Sequence, residues 1–212
     1  MRHIRGFLFS FVLTGVFASS AFAGTVQMHF ESVGGGSIGG VYVYPYNFSI
    51  NGSSGLSSLI CDTYDREITI GESWEANEHL LLAAGGLFNN LTDYEAAAII
   101  FNEILTNQVD AADGNLAIWG LFSNNAKGNS GWSAYVQSLE TAALASTGTY
   151  SSAFYNHFVL YTPLPGSKGM AAQEFMGYNP TLAEPASLAS LAMGVVMLMG
   201  WLRLRKGATN AT

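Results

Sequence analysis

One cysteine, Cys61, stands in the whole chain, within the stretch Ile60-Cys-Asp-Thr63. Without a second thiol it closes no internal disulfide. It is left as a small buried core residue, as a link to another chain, or as a nucleophile. The other groups that could do chemistry form thinner sets. Asp110, Asp113 and Asn115 gather oxygen ligands around Gly114, but the one-three-five spacing and closing Glu of a calcium loop are missing. His29, His79 and His157 lie far apart with no paired spacing, which reads as surface or core histidine rather than a metal set. Glu72, Glu75 and Glu78 could serve as glycosidase carboxylates. Their three-residue spacing more simply marks the solvated start of a helix, where acids favour the dipole. The glycine-rich stretch 34–40 lacks the Lys-Ser/Thr ending of a phosphate loop. These absences point to a non-enzymatic chain with no cofactor and no metal. A secreted hydrolase is the remaining enzymatic class, and no residue constellation speaks for it.

Ile60-Cys-Asp-Thr63, followed later by Gly114-Asn-Leu-Ala-Ile-Trp-Gly120, resembles the thioester domains of bacterial surface adhesins. The resemblance spans roughly residues 41–122 and rests on these short motifs. In that family the cysteine pairs with a glutamine, its thiolate attacks the side-chain amide, ammonia leaves, and the internal thioester captures a partner covalently. Asn115 stands where the glutamine would be, one methylene shorter. A bond that needs atoms within covalent distance tolerates little mismatch. The resemblance therefore implies the same scaffold with a silent site. A live Cys61–Asn115 thioester stays open beside it, as does the plainer reading of Cys61 as core and Asn115 as a helix cap after Gly114.

The elements that must position these residues follow from periodicity. Residues 26–30 and 41–48 alternate as strands, with Pro45 at an edge or bulge. In the second, Tyr42, Tyr44, Tyr46 and Phe48 share one face, either a sheet core or a stripe on which sugar rings stack. Asn51-Gly52 signals a turn. Residues 59–64 and 67–70 suggest a hairpin turning at Asp65-Arg66. Helical spacing follows over 75–87, 92–107, 113–122 and 132–146, the second opening with a capping box at Thr92 and Glu95. Strands return at 157–161 and 172–176. Strands, then helices, then strands give α+β.

The ends set the compartment. Residues 1–23 have a basic start, an apolar run and Ala21-Phe-Ala23, the pattern of a secretory signal peptide. Residues 186–202 are apolar and uncharged, the low end of a membrane span, and Arg203, Arg205 and Lys206 follow as a cluster that resists translocation. Glu184-Pro185, this apolar run and the basic cluster resemble the PEP-CTERM sorting signal of Gram-negative bacteria. That resemblance implies an exosortase-type membrane transpeptidase as partner. Ala183 stands where the family has its first proline, and six residues trail the cluster. A permanent single-span anchor is the alternative. The expected organisation is a signal peptide (1–23), an exported α+β domain (24–178), a linker with the sorting motif (179–185), and a transmembrane helix with its basic cluster (186–206).

Between residues 24 and 183 three basic residues face fourteen acidic ones, a formal charge of −11. Such a body repels a phosphate backbone, which excludes nucleic acid as a partner. The expected protein is an inner-membrane-anchored intermediate that ends at the cell surface or outside it. It would be adhesive or structural, with an exopolysaccharide or another surface protein as its partner.

Overall fold

The described residues of the computed structural model are 24–83, 86–166 and 172–180. The signal peptide and the sorting tail, with Glu184, Pro185, Arg203, Arg205, Lys206 and the expected membrane helix, lie outside them. Among the described residues no helix is long and apolar enough to cross a membrane.

The first strand, β1 (Gly24–Val33), turns Val26, Met28 and Phe30 inward and leaves the residues between them more open to solvent, the period-two pattern of a half-buried strand. A short hairpin, β2 (Ser37–Ile38) and β3 (Val41–Tyr42), follows. The next strands are β4 (Tyr46–Ile50), β5 (Leu56–Cys61) and β6 (Ser73–Leu80). Then come the helices α1 (Leu91–Leu105), α2 (Ala111–Phe122), α3 (Ala134–Ser146) and the short α4 (Ser152–Tyr155). The chain returns as β7 (Phe158–Pro163) and β8 (Phe175–Tyr178). The fold is α+β, and its six long strands close an antiparallel barrel in the order β1-β4-β5-β8-β7-β6.

Side chains fill the barrel, as in other small barrels. Phe48 is its hub, with ring centroids 4.7 Å from Phe175, 5.1 Å from Phe30 and 5.6 Å from Trp74. The helices pack on one another beside the barrel, and α2 reaches β5. Gly114 permits this close packing. A Cβ there would stand 2.6 Å from Ile104 Cδ1 on α1.

Several expectations need correction. Residues 73–80 form a strand, not the start of a helix, because Trp74 and Ala76 alternate inward while Ser73, Glu75 and Asn77 face out. The glutamate spacing there had suggested a helix face, and tertiary pairing with β1 and β7 overrode it. Residues 67–70 are not a strand: β5 pairs with β4 and β8 instead. The expected strand over 41–48 breaks at Pro45, which follows a cis peptide, so the tyrosine stripe divides. Tyr46 and Phe48 enter the core, while Tyr42 stays half exposed at 51%. Thr92 caps nothing, since α1 begins at Leu91 with Asn90 before it. Asp110 caps α2 by accepting from the Ala112 N–H at 2.8 Å, which places Asn115 inside the helix rather than at its cap. The turn at Asn51-Gly52 is present, with φ of 53° and 69°.

Candidate functional site around Cys61 and Asn115

Cys61 ends β5, and Asn115 sits in the second turn of α2. Both are fully buried. The fold brings these two residues, 54 positions apart, together: the Asn115 Nδ2 donates to the Cys61 carbonyl at 2.9 Å. On its other side the Asn115 Oδ1 accepts from the Tyr44 N–H at 2.9 Å. The carboxamide thus ties β5 and the strand-linking segment before β4 to the helix, satisfying two backbone groups at once.

The sulfur folds back on its own chain. Sγ accepts from the Thr63 N–H at 3.3 Å and lies 3.5 Å from the Thr63 carbonyl. Burial pushes the thiol well above its usual range, and the neighbouring Asp62 carboxylate pushes in the same direction. The Thr63 N–H and the Trp119 indole oppose this. A thiol held neutral is a poor nucleophile.

Behind the cysteine lies a cluster of buried polar side chains that periodicity did not reveal. Asp62 and Glu174 are both fully buried, on β5's end and just before β8. Glu174 collects donors: the Leu87 N–H at 2.8 Å and the hydroxyls of Tyr94 and Thr162. Thr162 also meets His79 Nε2 at 3.0 Å. Asp62 Oδ1 accepts from the Thr63 hydroxyl at 2.9 Å, and its Oδ2 meets no donor among the described residues. Burial, then the Glu174 charge, raise the Asp62 carboxyl well above the ordinary carboxylate range. One signal in the sequence could have found this cluster: Glu174 is the single acid between Glu140 and Glu184, and it falls inside a strand pattern.

The remaining candidates scatter. Asp110 is a helix cap, and Asp113 lies in the first turn of α2 while Asn115 faces Cys61, so the three do not converge. His29 is half-buried beside Ser73, and His157 meets the Asn179 carbonyl at 3.3 Å. Glu75 points to solvent, and Glu78 accepts from the Tyr161 hydroxyl at 3.1 Å. Among the described residues no His, Cys, Asp or Glu group could hold a metal ion.

Above Cys61 an open cleft of about 390 Å³ has Tyr46, Thr63 and Trp119 at its base. The short β2–β3 hairpin and the loop that follows β5 form its sides. Gly35 lets the glycine-rich loop pass close to the segment before β4, since a Cβ would stand 2.2 Å from the Tyr44 carbonyl oxygen. No family model matches this chain, and no curated protein or solved structure matches it either.

Proposed function

We propose that the chain is a non-enzymatic surface or extracellular-matrix protein of a Gram-negative bacterium, exported through its signal peptide and sorted through the PEP-CTERM-like tail. Its α+β body acts in adhesion or matrix structure. An exosortase-type transpeptidase is the processing partner, and the membrane holds the intermediate through residues 186–202. One observation supports the non-catalytic part of this reading: the Asn115 carboxamide is committed to the Cys61 carbonyl and the Tyr44 N–H. An acyl donor would have to abandon both bonds. The experiment is expression in hosts with and without exosortase, followed by fractionation and intact mass. Tail loss and release that require exosortase support sorting. An intact tail in both hosts leaves a permanent anchor and removes the sorting claim.

The juxtaposition of Cys61 and Asn115 favours a second reading, a covalent-capture adhesin. In it the Cys61 thiol attacks the Asn115 amide carbon, the C–N bond breaks, and ammonia departs with the thiol proton. The thioester then acylates a partner amine or hydroxyl and regenerates the thiol. A protein lighter by one ammonia and resistant to alkylation carries this reading. Stoichiometric alkylation of the unfolded chain at full mass ends it.

A further inference from the structure

We propose that the cleft above Cys61 is a binding site for a neutral sugar ring. The volume, about 390 Å³, lies in the range of small-ligand sites. Its two sides carry tyrosines. Tyr42 stands half exposed on the β2–β3 hairpin, and Tyr64 lines the cleft from the loop after β5, with its ring 5.4 Å from Trp119. Exposing a large aromatic on a hairpin of two-residue strands gives up apolar burial without a gain in the free protein.

Both tyrosines are held in place. The Tyr46 hydroxyl donates to the Tyr42 carbonyl. Asn129 Nδ2 donates to the Tyr64 hydroxyl at 3.1 Å, and the same side chain packs so closely on Gly39 that no Cβ fits there. One asparagine thus fixes the hairpin and the opposite loop together, the preorganisation that lowers the cost of binding.

The charges select the ligand. Arg66 and Glu67 both line the cleft. An anion would meet Glu67 and a cation would meet Arg66, so the complement is a neutral molecule with donors and acceptors. Arg66 gives one N–H to the Ala172 carbonyl at 2.8 Å and keeps other guanidinium donors. Gln173 also lines the cleft and is 8% exposed. Its Nε2 serves the carbonyls of Thr63 and Arg66, while its Oε1 is buried with no donor among the described residues. A ligand hydroxyl that enters the wall supplies the missing donor. Flat apolar C–H faces for the tyrosines and hydroxyls for Arg66, Glu67 and Gln173 are what a pyranose presents. The Cys61 sulfur is sealed beneath, so this binding is reversible and adds no mass.

The inference rests on the matrix reading only for its source of sugar, the polysaccharide around the cell. The test uses protein recovered from the exporting host, with tail status recorded by intact mass. Neutral gluco-, galacto- and manno-oligosaccharides at millimolar concentration are titrated by calorimetry and by ligand-observed NMR. The expected result is saturable binding of at least one of them that changes little with salt. Tyr42→Ala, whose side chain is already half exposed, weakens it about tenfold or more, whereas Tyr178→Ala, at a separate exposed tyrosine, leaves it unchanged. Gln173→Met also weakens it. No binding by any of the oligosaccharides overturns the proposal. So does binding that survives Tyr42→Ala, or binding confined to charged polysaccharides and lost in salt. Sugar binding by a protein whose tail is never processed would sink the sorting claim and leave this site standing.

Discussion

Asn115 satisfies a carbonyl from a strand end and an N–H from a loop, and both partners lose a good bond if the amide goes. Asn115→Ala is expected to lower unfolding free energy by about 1–3 kcal/mol. Urea denaturation checks it, and a midpoint matching the native chain would mean that the amide is not a staple. Asp62 makes the second residue-scale expectation. Its folded pKa is raised above the ordinary value of about 3.9 by burial and by Glu174, so the native state binds that proton more tightly than the unfolded chain does. The stability linked to this proton is complete below the unfolded pKa and is lost as pH rises through the folded pKa. Melting temperature should therefore fall from mildly acidic to neutral pH, and Asp62→Asn should flatten that slope. An unaltered slope in the variant would assign the pH dependence to the −11 formal charge of residues 24–183 instead. Cys61 is legible in the sequence as the one cysteine, and Asn115 through the motif that resembles a thioester domain. The sequence hid the commitment of the amide, since a hydrogen bond to a backbone carbonyl leaves no mark on composition or spacing.

At the scale of elements, α1 and α2 meet through Gly114. Gly114→Ala puts a methyl 2.6 Å from Ile104 Cδ1, an overpacking expected to cost about 1–3 kcal/mol. Adding Ile104→Ala should recover part of that loss, so the double variant is more stable than the sum of single effects predicts. Strict additivity in a denaturation cycle would place the strain elsewhere. The helices were the most legible part of the chain: 92–107, 113–122 and 132–146 lie close to α1, α2 and α3. Their apolar spacing is long enough to stand clear of noise. Strand β6 is obscured in the sequence because Glu72, Glu75 and Glu78 sit at a helix-like spacing, while the alternation of Trp74 and Ala76 covers only a few residues. The aromatic stripe was read as one face, and Pro45 redirected the backbone so that Tyr42 left the core that Tyr46 entered.

Across the whole molecule, barrel closure was not legible, because pairing between β1 and β6, or between β5 and β8, joins segments that carry no local signature of each other. Closure does set what a reagent can reach. Cys61 is sealed, so a thiol probe should label it only in step with loss of secondary structure across a denaturant series. Labelling that runs ahead of the far-ultraviolet signal would reveal a local opening instead. The seam beside Cys61 has a further consequence. Strand β8 is registered to β5 only at Ile60 with Met176 and at Cys61 with Phe175, and the described chain runs two residues past β8. If the domain is tethered from that end, any drag on it enters through the strand whose seam with β5 is the shortest in the barrel. Under such tension the first rupture would fall on the seam, and the thiol hidden at rest would become the domain's earliest exposed mark of mechanical load.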